Sequence, residues 1–403
     1  MSKGLCWTVI SDIEQVESLR TAWSDLLARS SANEPTLSPQ WMLAWWRVFG
    51  GLDGRTLRVL ALHRGDRLVG LAPLLSRMTS YRPRIPFRRL ELLASGEDEA
   101  DETCSDYLGL LADRDHEGAV ADAFAEAAVT GALGAWDEIV MRSMSGTELL
   151  PSLVADALGR RDVVVDIIGR VSSPYVALPA TWDAYLDALP SSRRYLVRRS
   201  LRDFEAWSGA PPALKLARSE SELARAQEIL HELHRERWSE RGEDGAFASV
   251  RFRTFHASVM PELLAANALD VGWLEAHGKP VAAFYNLVWN DKSYFYQGGR
   301  KLDLPKGVRA GIVMHACLIR HAIERGLREY DFLAGMSRYK LDFALSARPL
   351  LTLRATRQSL VEAARQTAEL AIGHARSIRD NMRRGFSPGD ARVHDGEKED
   401  ISE

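Results

Sequence analysis

LDVGWLEAHGKPVAAFYNLV, residues 269–288, is two apolar runs separated by the turn His277-Gly278-Lys279-Pro280. Val, Leu, Phe and Tyr fill one face of a sheet, and the polar turn reverses the chain, so the stretch predicts a β-hairpin. The same plan stands at LRVLALHRGDRLVGLAPLL, residues 57–75, with its turn at Arg64-Gly65-Asp66-Arg67. RRLELL (88–93), DYLGLL (106–111), an Ala-rich helix near 116–131 and DEIVMR (137–142) follow the first hairpin. KSYFYQGG (292–299), a helix near 308–325 and REYDFL (328–333) follow the second. Hairpin, strand, helix, strand thus occurs twice. A duplicated α/β domain accounts for this better than one large sheet.

Working outward, the link between the halves falls at GRVSSPYVALPA (169–180), where turn residues and prolines flank a short strand. The expected domains are 1–175 and 176–355, each an α/β (α+β) unit with a mixed, mostly antiparallel sheet flanked by helices. Residues 356–385 are expected as a C-terminal helix and 386–403 as a disordered tail. After the link, two helices break at Pro190, with Ser191 or Ser192 as the cap of the second. Residues 219–240 read as a charged amphipathic helix, 242–249 as a mobile surface loop and 350–354 as a late strand.

The 403 residues exceed one ordinary core, which agrees with two domains. A net charge of -3 argues against a stable nucleic-acid partner, leaving phosphate affinity to local patches. Cys6, Cys104 and Cys317 are scattered and show no metal-ligand spacing, so free thiols and no metal are expected. MSKGLCWTVI lacks a signal-peptide core, and no apolar run approaches the roughly 20 residues of a spanning helix. A cytoplasmic protein without a transmembrane segment is the expectation.

EPTLSPQWMLAWWRVFG (34–50), SRRYLVRRSLRDFE (192–205) and REYDFLAGMSRYKLDFA (328–344) together resemble the CelD/FemAB group of GNAT acyltransferases. The first is similar to the Trp-rich opening of CelD-type proteins. The second resembles their basic helix, and the third their closing motif. The resemblance covers about residues 20–350. It implies two tandem GNAT-type domains and acyl transfer to an amine, often on an envelope glycan precursor. The implied donor is acetyl-CoA or another acyl-CoA in the CelD branch and aminoacyl-tRNA in the FemAB branch.

Against the usual GNAT phosphate loop, Gln/Arg-x-x-Gly-x-Gly/Ala, LPKGVRAGIVMHA (304–316) puts Leu304 in the first slot and Arg309 in the last. Gly307 and Gly311 still permit close backbone approach. Lys306 and Arg309 add charge, and the helix start offers free N–H groups. Acyl-CoA is therefore expected at Lys306, Gly307, Arg309 and Gly311.

Acyl transfer needs a neutral amine, a stabilised oxyanion and a protonated leaving group. Tyr339 and Lys340 follow a strand and Gly335, which predicts a loop at the sheet edge. The resemblance implies an aromatic–Lys pair there, near the transferred acyl group. Asp331 faces away from Tyr330 and Phe332 and reads either as a base or as an anchor for that loop. Asp106, beside Tyr107 at the start of DYLGLL, is the second candidate base. The resemblance implies an acceptor near this position of the first domain.

Trp41 and Trp45 share a helix face and suit either a sugar or the core. Arg194, Arg198 and Arg202 share another face, which suits a diphosphate. Tyr296 is expected either in the same groove or in the core. Arg376, Arg379 and Arg383 share a face of the C-terminal helix, where a nucleotide effector or plain solvation is expected. The reading is an N-acyltransferase acting on an amine of an envelope polysaccharide precursor or amino sugar. A tRNA-dependent aminoacyltransferase and a non-catalytic nucleotide-binding module stand as alternatives.

Overall fold

The computed structural model describes residues 4–240 and 242–371. The first half runs β1 (Leu5–Ile10), α1 (Ile13–Ser18), α2 (Arg20–Arg29), α3 (Pro39–Phe49), β2 (Thr56–Leu57), β3 (Val59–Arg64) and β4 (Arg67–Ala72). It continues through β5 (Leu74–Tyr81), β6 (Ile85–Leu92), β7 (Leu111–Ala112), α4 (Glu117–Thr130), β8 (Glu138–Ser145), α5 (Leu150–Gly159) and β9 (Val164–Ala177). The second half opens with α6 (Trp182–Ala188), α7 (Ser191–Ser208), β10 (Leu214–Leu216), α8 (Glu220–Ser239) and α9 (Val250–Ala265). Then come β11 (Leu269–Ala276), β12 (Lys279–Trp289), β13 (Lys292–Arg300), α10 (Ala310–Glu324), β14 (Glu329–Asp331), α11 (Arg338–Phe343) and β15 (Ser346–Thr356).

Both hairpins form, β3–β4 and β11–β12. His277 and Gly278 both take positive φ, the geometry that matches a two-residue turn to strand twist. Pro73, which has no N–H for a ladder, separates β4 from β5. The first half is therefore split. β1, β3, β4 and β7 form a four-stranded sheet, and the remaining strands join the main one.

The duplication is visible in the crossovers. α4 links β6 to its parallel neighbour β8, and α10 links β13 to its parallel neighbour β14. The two half-sheets are nevertheless fused into eleven strands, in the order β10-β11-β12-β13-β14-β9-β15-β8-β6-β5-β2. An exchange causes the fusion. β9 ends the first half but pairs with β14, while β15 ends the second but pairs with β8. The two exchanged strands pair with each other from Val164–Thr356 to Tyr175–Ser346. The expected boundary at 175/176 falls inside β9.

Several local expectations are corrected. DYLGLL is not a strand: only Leu111 and Ala112 pair, and Tyr107 has φ +60. The segment is drawn off the sheet by bonds that bridge the halves, described below. The break at Pro190 is present, but Pro190 itself is the cap and no serine side chain caps α7. Ser219 and Glu222 form a full capping box on α8. The 242–249 stretch carries a 3-10 turn, Ala246–Ala248, and buries Phe247 against His234 and Phe252. β15 runs to Thr356, so the closing helix begins later than expected, at 360. Arg376, Arg379, Arg383 and the tail 386–403 lie outside the described residues.

The core joins the halves. α3 packs on α9, with Trp41 edge-on to Phe255 at 4.8 Å and to Tyr296 at 5.5 Å. Helix 360–371 is pinned to the first half by charge. Arg354 reaches both Glu138 (2.7 Å) and Glu362 (2.8 Å), and Arg365 reaches Glu362 (2.6 Å). Burial raises the Glu362 carboxyl, but the two arginines outweigh it and hold it at about 2.

Candidate active site

β13 and β14 pair only over Lys292–Tyr294. Beyond Tyr294, β13 runs on to Arg300 while β14 stops at Asp331, so the strands splay into a V. Tyr285 faces Gln297 and Asn286 faces Phe295, so Tyr296 is an extra residue, a bulge at the mouth of the V. Gly299 lets α8 press on the strand: a Cβ there would lie 2.2 Å from the backbone nitrogen of His234. α10 starts beside this V with no side-chain cap, leaving its first N–H groups free.

Two cavities meet here. The first, about 430 Å³, lies along the start of α10 and includes Arg300, Arg309, Gly311 and His315. The second, about 600 Å³, lies between the halves and includes Glu97, Cys104, Asp106, Arg142 and Lys340. Arg237, Phe295, Gly298 and Tyr339 line both.

The expected residues divide sharply. Asp106 and Lys340 are brought together on the wall of the second cavity, beside Tyr339. Asp106 accepts from the Ala334 N–H (2.7 Å) and from Ser143. Burial raises its carboxyl to about 7, with the Ala334 bond opposing. Lys340 is not on a loop but on α11, and it is buried, because its ammonium donates to the carbonyls of Leu333 (3.0 Å) and Ala334 (2.6 Å). Desolvation lowers it to about 8 against the pull of Asp106 and Asp331. Tyr339 stacks on His315 at 5.1 Å under the Arg237 guanidinium, and burial pushes its phenol upward.

Asp331 is saturated. It accepts from Tyr107 (2.5 Å), Ser173 (3.0 Å) and the Leu333 N–H (2.6 Å), and is fully buried. Of its two readings, this geometry is that of an anchor, which fixes Tyr107 and the 333–334 turn on which Asp106 and Lys340 converge.

Arg309 and Gly311 line the first cavity, whereas Lys306 and Gly307 sit on the preceding loop outside it. Gly307 has φ +100, which a side chain rarely adopts. Trp41 and Trp45 are in the core rather than open to a ligand, and act from behind the wall. Trp41 donates to Ser105 (2.9 Å) and Trp45 to Glu97 (2.5 Å). Tyr296 reaches the wall, but its phenol turns inward to the Thr103 carbonyl (2.5 Å) and His256 (3.0 Å). Arg194 and Arg198 face a separate shallow cleft between α6 and α7, and Arg194 is paired with Asp187 at 3.0 Å.

Sequence reasoning missed Glu97, Arg142, Ser143, Arg237 and His315. Among the described residues no group of His, Cys, Asp and Glu is arranged to hold a metal, and no helix is long and apolar enough to cross a membrane.

The acetyltransferase (GNAT) domain family matches residues 191–341. No curated protein sequence matches the chain. The C-terminal domain of a candidate lysylphosphatidylglycerol synthetase from Agrobacterium fabrum is similar in structure: TM-score 0.50, 13% identity, covering 88% of this chain and 96% of that one. A protein of unknown function from Bacteroides thetaiotaomicron gives TM-score 0.51 at 11% identity, covering 85% and 97%. Both are likenesses of fold. The chain carries a GNAT-type N-acyltransferase domain and is an enzyme of that class.

Proposed function

We propose that the protein transfers an acyl group from an acyl-CoA, acetyl-CoA in the first instance, to a primary amine held between its halves. The observation that carries this is the junction: one wall of Arg237, Phe295, Gly298 and Tyr339 is common to both cavities, with Asp106 and Lys340 beside it.

The first cavity suits the donor. Arg300 and Arg309, with the uncapped start of α10, offer charge and N–H groups to phosphates. The thioester then lies along the unpaired side of β13, whose free backbone N–H groups can take the developing oxyanion. The amine enters from the second cavity. Its nitrogen attacks the carbonyl carbon, the C–N bond forms, the C–S bond breaks, and Asp106 takes the ammonium proton. A carboxyl near 7 is matched to that task at neutral pH. Tyr339, kept protonated by its burial, gives its proton to the departing thiolate. Lys340 keeps positive charge beside Asp106 and fixes the turn that positions it. A cavity of this size takes a small amine-bearing acceptor, of which the amino sugar implied by the family resemblance is one class.

Titration calorimetry with acetyl-CoA tests the reading. One site per chain is expected, weakened by Arg309→Glu. No heat with acetyl-CoA or CoA would remove it.

A further inference from the structure

Between Met141 and Met144 the pairing of β8 with β15 slips. Met141 faces Leu353 and Met144 faces Leu351, so Arg142 and Ser143 together stand opposite Thr352. This is a β-bulge, a device that re-aims side chains beside functional sites. Ser143 takes φ +52, a left-handed conformation costly for a residue with a Cβ.

The bulge has two results. The Ser143 hydroxyl bonds to Asp106, and Arg142 is turned onto the wall of the second cavity. The other cations of that wall are engaged. Arg77 is held by Glu91 at 2.5 Å, Lys340 by two carbonyls, and Arg237 by the Gly298 carbonyl (3.1 Å) and the Tyr339 ring. Arg142 is exposed and has no hydrogen bond or ion pair among the described residues; its charge is felt by Glu102. Across the same wall, Glu97 is fixed through one carboxylate oxygen by Trp45 and Thr103, both at 2.5 Å.

A strained backbone that delivers an unpaired guanidinium next to the base points to a ligand group that completes it. We propose that Arg142 reads an anion carried by the acceptor, so that the substrate class is a short amino acid-like or aminoalkyl phosphate molecule. Its amine lies at Asp106 and its carboxylate or phosphate at Arg142. The guanidinium fork fits either oxyanion. Asp106 and Arg142 line one cavity of about 600 Å³, and Ser143, next in the chain to Arg142, bonds Asp106, so one small molecule can carry both the amine and the anion. This rests on the reading that the second cavity holds the acceptor amine.

The test compares ethanolamine, β-alanine and O-phosphoethanolamine as acceptors, following thiol release from acetyl-CoA by wild type, Arg142→Ala and Arg142→Lys. At least one anionic amine should exceed ethanolamine about tenfold in kcat/KM, mainly through KM. Which of the two leads distinguishes carboxylate from phosphate. Arg142→Ala should reduce that preference to less than about twofold, with Arg142→Lys between. Equal use of the three amines by wild type, or a preference that survives Arg142→Ala, overturns the proposal. If no amine turns over, calorimetry with β-alanine and O-phosphoethanolamine decides: binding lost in Arg142→Ala supports it, and no binding or unchanged binding overturns it. Acetyl-CoA calorimetry on the same samples reports separately on the donor reading and on the integrity of the variant.

Discussion

The two halves each send a crossover helix from one parallel strand to the next, and the two helices begin in different electrostatic surroundings. α10 starts behind Arg309, with Arg300 and Lys301 on the same cavity wall. α4 starts at Glu117 behind Asp115, with no side-chain cap. A helix start attracts anions; the first arrangement adds only cations to it, whereas the second mixes Asp115 and Glu117 with Arg114 and His116. The strands in front differ too. In the first half the Arg77–Glu91 pair bridges β5 and β6, and Gly96 closes over it so tightly that a Cβ would lie 2.2 Å from Glu91. Between β13 and β14 the V is left open. Duplication supplied two comparable places, and in the proposed function one half keeps the donor position while the other becomes a wall for the acceptor.

The most severe way to break that division is to remove the one group the acceptor half lends to the chemistry. Asp106→Asn should lower kcat/KM by roughly 10²–10⁴. The wild-type pH profile should fall on the acid side below about 7, as Asp106 protonates, and on the alkaline side above about 8, as Lys340 loses its charge. The acid limb should vanish in Asp106→Asn and the alkaline limb in Lys340→Met. An unaltered acid limb would transfer the base role elsewhere.

Next in size is the shared core. Trp41→Ala should cost about 3–5 kcal/mol in a denaturant titration, because its ring packs against Phe255 and Tyr296 of the other half. A loss below about 1 kcal/mol would mean the halves stand independently.

The charge contrast is tested by a pair. Arg309→Glu should weaken acetyl-CoA about tenfold or more, while Glu117→Lys on the equivalent helix should leave donor affinity within about twofold. A second donor site appearing in Glu117→Lys would show that charge alone, without an open V, suffices.

The smallest effect concerns the helix that ties the end of the described chain to the first half. Glu362 titrates lower in the fold than its ordinary 4.5, so its stabilisation is complete above that pH and fades as pH falls toward 2. The melting point of Glu362→Gln should lie below wild type at pH 7 and approach it near pH 3. A constant gap would assign the loss to packing instead.

Much of this architecture was legible because hairpins and crossover helices are local. Alternation of Val and Leu around Gly278 or Gly65 is enough to specify them. The strand exchange was not legible, since nothing in the composition of β9 or β15 names its partner. Asp106, Lys340, Tyr339 and Arg309, singled out in the sequence, line the two cavities. Their environment was not legible. Lys340 was expected on an edge loop, but it is buried on a short helix with its ammonium on the Leu333 and Ala334 carbonyls. Trp41 and Trp45 show that an aromatic stripe does not say whether it faces a ligand or supports the residues that do. Arg142 depends on a backbone slip at Ser143 that leaves no compositional trace.

The exchanged strands also set a timetable for the chain as it is made. β8 has emerged by Ser145, but the strand that covers its edge is not complete until Thr356. At roughly 5–20 residues per second, about 200 further residues take on the order of 10–40 s. Throughout that interval the nascent first half presents an uncovered strand edge, the kind that recruits unrelated chains. Slow synthesis would lengthen that exposure, and the end of the second half is the strand that closes the first.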